Sequence, residues 1–183
     1  MIGLFIGSFN PPTKAHIDIC VNLKDRFSKI VLVPVNNNEK DLIDLDIRIE
    51  ILNIIKHTYN FLEITNIMKD YAYLNYKVID LLKNEYGDLN IIMGSDLLEK
   101  LDSFENYEYL LSNYSYTIIP RGNSDVLKLI NDKYKKYQDK FSILDYHSDT
   151  SSTLVKELLK ENKDTKDFLD SDIYSFIREQ DLY

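Results

Sequence analysis

Residues 2–16 read IGLFIGSFNPPTKAH, and the fold turns on how that stretch divides. Ile2 to Ile6 is a short apolar run. It ends in Gly7-Ser8-Phe9-Asn10-Pro11-Pro12-Thr13, beyond which Ile17, Val21 and Lys24 alternate with Ile19, Leu23 and Phe27 at helical spacing. The order predicted is strand, tight loop, helix. Gly7 stands where a chain leaving a strand needs an unrestricted φ, Pro11 and Pro12 stiffen the turn, and the helix opens near Thr13 and Lys14 with unpaired backbone N–H groups. A loop of that kind cradles an anion.

Outward from this unit the same alternation repeats. Ile30 to Val35, IVLVPV, reads as a strand covered on both faces, the kind found in parallel sheets. A helix from about Leu45 to Thr58, a strand at Phe61 to Thr65, a helix from about Tyr73 to Tyr86 and a strand at Leu89 to Met93 follow. Then come a helix around Asn106 to Leu111, a strand at Tyr116 to Ile119, a helix around Ser124 to Tyr137 and a last strand at Phe141 to Asp145. Two helices close the chain, one starting in Asp149 to Thr153 and one from about Ser171 to Arg178. The expected class is α/β: a Rossmann-like doubly wound parallel sheet in a single domain over residues 1–183, with a small C-terminal helical part from about 151. Ligands of such sheets bind at the carboxyl ends of the strands, so the loops after strands are the ones to search.

Composition narrows the partners. A chain of 183 residues with 44% apolar content is long enough to bury one substantial core, and its 5 Gly and 4 Pro leave few linkers. The net charge of −8, with no basic face to offset it, argues against a broad nucleic-acid surface, although a pocket with a few local cations can still hold a small anion. One cysteine, Cys20, excludes an intrachain disulfide and a cysteine-rich zinc site, and three histidines supply a metal centre poorly, so no protein metal site is expected. The first residues carry no basic leader and no apolar run of spanning length, which makes the cytoplasm the default location and gives no reason to expect membrane contact. The aromatic residues fit either a core or an interface, so a homo-oligomer stays open.

Three segments carry candidate chemistry. Thr13 can offer a hydroxyl at the helix start, and His16, one turn on, projects from the same face, so that both reach one phosphate; the plain alternative is an N-cap and a surface histidine. Ser151-Ser152-Thr153 precede an amphipathic helix that carries Lys156 one turn later, a cap with spare donors suited to outer phosphates or simply a capped helix. Gly94-Ser95-Asp96 follows a buried strand directly, where a carboxylate can accept from ribose hydroxyls or cap the next helix. Lys40 and Arg48 bracket the polar loop after the second strand and Arg121 follows the fifth; each is a phosphate partner or a surface charge. Neither GxGxxG nor GxxxxGK[ST] occurs, which weighs against a nicotinamide or flavin oxidoreductase and against a P-loop ATPase.

Together these segments resemble the nucleotidyltransferase superfamily whose signature is His or Thr, two residues, then His. More closely, the chain resembles the nicotinate and nicotinamide mononucleotide adenylyltransferases, through Gly7 to His16, Gly94 to Leu98, Pro120-Arg121-Gly122, Ser151 to Lys156 and the ending Ile173 to Tyr183. The resemblance implies ATP binding by Gly7, Ser8, Phe9, Asn10, Thr13, His16, Gly94, Asp96, Arg121, Ser151, Ser152, Thr153 and Lys156. It implies catalytic roles for His16, Thr13 and Lys40, with His16 the main stabiliser of charge at the reacting phosphorus. Lys40, Tyr76, Lys77 and Phe104 fall where relatives hold the mononucleotide, Phe104 in place of a stacking tryptophan. The substrates implied are ATP, carried with Mg2+, and a pyridine mononucleotide.

The chain also departs from that pattern. Thr13 and Asn10 replace a His and an Asp common in bacterial members, Ala15 a Gly, Lys156 an Arg, and Lys77 a Thr, the Lys156 change trading a planar fork for a point charge. The reaction implied is adenylyl transfer from ATP to nicotinate mononucleotide. The alternatives are transfer to nicotinamide mononucleotide, transfer to another phosphorylated acceptor such as phosphopantetheine, and a catalytically silent nucleotide sensor.

Overall fold

Six strands lie side by side in the order β3-β2-β1-β4-β5-β6, every neighbouring pair parallel. They are β1 (Ile2–Gly7), β2 (Lys29–Pro34), β3 (Leu62–Ile64), β4 (Leu89–Gly94), β5 (Ser115–Ile119) and β6 (Phe141–Ile143). The helices between and after them are α1 (Lys14–Leu23), α2 (Leu45–Thr58), α3 (Tyr76–Tyr86), α4 (Ser95–Glu99), α5 (Tyr107–Asn113), α6 (Val126–Lys133), α7 (Ser152–Lys160) and α8 (Ser171–Glu179). The structure, a computed structural model, describes residues 1–36, 41–122 and 124–183.

Alternation along the strands builds two cores, one on each face. Leu4, Ile6, Val31, Val33, Ile91, Met93 and Ile118 point to the face covered by α3, α5 and α6. Phe5, Ile30, Leu32, Ile92 and Ile119 point to the other, covered by α1, α2, α7 and α8. Both faces being covered explains why these strands are continuous apolar runs. The strand order reverses between β1 and β4, where chain segments leave in opposite directions and open a crevice above the carboxyl ends. Gly7 and Gly94, the last residues of these two strands, sit at its floor.

The C-terminal helices belong to the second core. Val155, Leu159, Leu169, Ile173 and Ile177 are each at most 5% exposed within it, and burying each such side chain contributes about 1.5–3 kcal/mol. The Lys14 N–H donates to the Phe168 carbonyl at 2.8 Å, tying the start of α1 to the segment between α7 and α8.

Several boundaries differ from the sequence expectation. The helix expected from Tyr73 starts at Tyr76, because the Asn75 side chain accepts from the Lys77 and Val78 N–H groups at 3.0 and 3.2 Å and fixes the cap there. The helix expected through Tyr137 stops at Lys133 and continues as 3₁₀ turns over Lys135–Lys140. Tyr134 is drawn inward at that break, its hydroxyl donating to Leu98 O at 2.9 Å and accepting from Asp102 N–H at 3.2 Å. The expected strands at 61–65 and 141–145 shorten to Leu62–Ile64 and Phe141–Ile143.

Candidate active site

The loop from Gly7 to Thr13 is held from several sides. Val35 N–H donates to Gly7 O at 2.9 Å, Arg48 Nη1 to Ser8 O at 2.8 Å, and Ser152 Oγ to Pro11 O at 2.7 Å. Gly7 has no positive φ; what favours glycine there is space, since a Cβ would lie 3.0–3.2 Å from the Phe9 ring. It is Phe9 that takes the left-handed conformation, with φ 47°, and this turns its ring edge-on to Phe5 at 5.4 Å and to His16 at 5.2 Å. The Asn10-Pro11 peptide is cis.

Thr13 is fully buried and caps α1, with His16 in the helix's first turn. The Thr13 N–H donates to His16 Nδ1 at 3.1 Å, and the Thr13 hydroxyl lies 2.8 Å from the same nitrogen. An Nδ1 that accepts from a backbone N–H carries no proton, so the neutral ring bears its proton on Nε2. Desolvation and, after it, the Arg121 charge together lower the His16 pKa from 6.5 to about 3. His16 is therefore a fixed neutral donor at the mouth of a helix N-terminus.

Across the crevice, Ser95 is buried and its Oγ accepts from Arg121 N–H at 3.0 Å while pairing with Ser124 Oγ at 2.7 Å. This seats the start of β5's exit loop against the start of α4. The Arg121 Nε stands 3.5 Å from Asp96 Oδ1. Both side chains cross over Gly94, where a Cβ would lie 2.3 Å from Asp96 Oδ1 and 2.6 Å from Arg121 Nε, so a side chain there would make that pair shift. The effect of Arg121 on His16 places the two on one electrostatic site.

The start of α7 completes this half. Ser151 Oγ accepts from Leu154 N–H at 3.1 Å and Thr153 is exposed one position after Ser152. Lys156 turns toward Asp41, its Nζ donating to Asp41 O at 2.6 Å. Of the residues expected to hold ATP, those at 7–16, 94–96, 121 and 151–156 all lie at the carboxyl end of the sheet. Lys40 lies outside the described residues.

Arg48 is not a free phosphate partner. It is 1% exposed and gives its donors to Ile43 O (3.1 Å), Ser8 O (2.8 Å), Val35 O (2.9 Å) and Asn36 Oδ1 (2.7 Å). Asn10 is similarly occupied: Nδ2 donates to Asp41 O at 3.1 Å, and Oδ1 accepts from Ile43 N–H at 3.2 Å and from the Tyr183 hydroxyl at 2.9 Å. Sequence reasoning passed over Ser95 as a spacer in its motif, and it had no signal for Asp41 or for the Tyr183 hydroxyl.

Of the residues expected to hold the mononucleotide, Tyr76, Lys77 and Phe104 belong to the other face of the sheet. Tyr76 and Phe104 both pack against the core beneath α3 and α5. Tyr76 meets Tyr109 edge-on at 5.8 Å, and Lys77 Nζ stands 5.7 Å from the Tyr76 ring. Among the described residues, no hydrogen bond or ring contact ties Tyr76, Lys77 or Phe104 to His16. Among the same residues no group of three or more His, Cys, Asp and Glu is arranged to hold a metal ion, and the carboxylate at this site, Asp96, is paired with Arg121. A divalent cation here would be held by substrate phosphates and water.

At the switch point the two glycines that end β1 and β4 lie beside the start of α1, a neutral histidine and an arginine. The profile of the cytidylyltransferase-like family matches residues 4–158. The chain belongs to that family and, within it, to the nicotinate-nucleotide adenylyltransferases. It is 31% identical to a probable nicotinate-nucleotide adenylyltransferase of Acholeplasma laidlawii, covering 100% of this chain and 97% of that protein, and 27% identical to one of Flavobacterium psychrophilum, covering 100% and 98%. Among solved structures it superposes on the Plasmodium falciparum nicotinic acid mononucleotide adenylyltransferase complexed with NaAD, with a TM-score of 0.82 at 19% identity over 100% of this chain and 96% of that one. The chain is thus a nucleotidyltransferase of Rossmann-like fold. Among the described residues no helix is long and apolar enough to cross a membrane.

Proposed function

We propose that the protein transfers the adenylyl group of ATP to nicotinate mononucleotide, forming nicotinate adenine dinucleotide and pyrophosphate, a step of NAD biosynthesis in the cytoplasm. A phosphate oxygen of the mononucleotide attacks the α-phosphorus in line as the bond to the pyrophosphate oxygen breaks. That phosphate is already an anionic nucleophile near neutral pH, so no protein nucleophile or general base is required. What the protein supplies is alignment and charge stabilisation.

The observation that carries this reading is the Thr13–His16 unit. Its Nδ1 is engaged by the helix cap, which leaves Nε2–H to donate to a non-bridging oxygen of the α-phosphate, a preorganised donor of the kind whose removal costs about 10²–10³ in rate. A ring already neutral needs no proton loss to act so. Backbone groups of Gly7, Ser8 and Phe9 and the N-terminus of α1 receive the α-phosphate, Ser151, Ser152, Thr153 and Lys156 receive the outer ones, and Lys40 offsets charge at the reacting phosphorus beside the mononucleotide. Gly94 and Asp96 hold the adenosine ribose, with Arg121 offsetting phosphate charge. Tyr76, Lys77 and Phe104 hold the mononucleotide, Phe104 against the pyridine ring. Mg2+ enters with ATP and neutralises charge on its phosphates.

The test is to supply Mg-ATP with nicotinate mononucleotide, nicotinamide mononucleotide or phosphopantetheine and identify products by mass. The expected result is selective formation of nicotinate adenine dinucleotide with one pyrophosphate each. Selective turnover of either other acceptor, or ATP binding without turnover of any, would overturn the assignment.

A further inference from the structure

Asp41 connects two of the segments that bind ATP in the proposed function. Its carbonyl accepts from Asn10 Nδ2 of the first loop at 3.1 Å and from Lys156 Nζ of α7 at 2.6 Å. Its carboxylate lies 3.6 Å from Lys156 Nζ and 3.3 Å from Lys160 Nζ. Lys156 and Lys160 are one turn apart, so they share a helix face and converge on one anion. Their hydrogen bonds and charges hold the Asp41 carboxyl below its ordinary pKa. The carboxylate is 80% exposed whereas the Lys156 side chain is 18% exposed. The lysine is therefore the more enclosed member of the pair, and the carboxylate facing it is the one open to solvent and to replacement.

We propose that Asp41 is an internal competitor for the triphosphate: it occupies Lys156 in the nucleotide-free protein, and ATP must displace it to reach that cation. This rests on the proposed function, which gives Lys156 to the outer phosphates. Phosphate oxygens take the place of the Asp41 carboxylate and of its carbonyl on the same ammonium, and no covalent bond changes. Asn10 keeps its bond to the Asp41 carbonyl, so the loop is retained while the lysine is released. Since the contact is exposed and ionic, the competition is small and weakens with salt.

The test is calorimetric titration of the whole protein with a non-hydrolysable Mg-ATP analogue, with KM and kcat measured in parallel. D41N is expected to tighten analogue binding about two- to fivefold at low salt, in line with the modest strength of exposed ion pairs. KM for ATP should fall in step and kcat should move less than twofold. D41S, which also removes the charge, should behave alike. K156M should weaken binding, and in that background D41N should no longer tighten it. Unchanged or weaker binding by D41N and D41S, or a gain that persists beside K156M, would overturn the proposal. Calorimetry with the analogue needs no acceptor, so failure of turnover with nicotinate mononucleotide would count against the acceptor and not against Asp41. Absence of any binding of the analogue would overturn both.

Discussion

The first loop and the start of α3 contrast in how they are built. Between Gly7 and His16, Phe9, Asn10 and Thr13 are at most 4% exposed, and hydrogen bonds from β2, α2 and α7 fix the backbone. At the start of α3, Tyr76 is half-buried and Lys77 exposed, Tyr76 meeting Tyr109 edge-on and the Lys77 ammonium standing over the Tyr76 ring. The half to which the proposed function gives the triphosphate is preorganised, as stabilising a transition-state charge requires. The half to which it gives the acceptor is looser, built from side chains that can vary without disturbing the sheet.

The largest effect should come from removing what makes the first half rigid. Arg48→Met would leave four acceptors without their donor in a buried place. We expect a stability loss of at least about 3 kcal/mol, read by urea unfolding. His16→Ala should lower kcat about 10²–10³-fold while the protein stays folded, checked by steady-state kinetics beside circular dichroism. Gly94→Ala, which makes the Asp96 or Arg121 side chain shift, should raise KM for ATP about tenfold, a change worth about 1.4 kcal/mol.

Smaller changes should mark the looser half. Phe104→Ala is expected to raise KM for nicotinate mononucleotide about two- to tenfold, the range of one aromatic contact, and to leave KM for ATP in place. An equal change in both constants would erase the distinction between the halves. The pH dependence of stability sharpens it from the other side. The His16 pKa is depressed in the folded protein, so between pH 6.5 and about 3 the unfolded chain binds the proton that the folded one refuses. Its contribution is thus fully present above pH 6.5 and is lost as pH falls, by up to about 1.4 kcal/mol per pH unit. His16→Asn should flatten the fall between pH 6.5 and 5, measured by urea midpoints.

The same contrast explains what the sequence made legible. The sheet was readable because both faces are covered, and continuous apolar strands between periodic helices admit few other arrangements. The loop from Gly7 to His16 was readable because its parts are adjacent: a glycine, two prolines, a cap and a histidine one turn on. Arg48, read as a phosphate partner or a surface charge, is neither, because whether a cation faces solvent or four carbonyls is decided by residues from Ser8 to Ile43 that only folding gathers. Asn10 joins Asp41, Ile43 and Tyr183 in the same way, across as many as 173 positions. Boundaries at Tyr76 and Lys133 moved because a side-chain cap and an inward tyrosine overrode the hydrophobic period.

The most direct measurement of the central claim is the fate of isotope in the reaction of Mg-ATP with nicotinate mononucleotide labelled with ¹⁸O in its phosphate. Direct attack on the α-phosphorus should place all the label in nicotinate adenine dinucleotide and none in the pyrophosphate. Label in the pyrophosphate, or no dinucleotide at all, would contradict it.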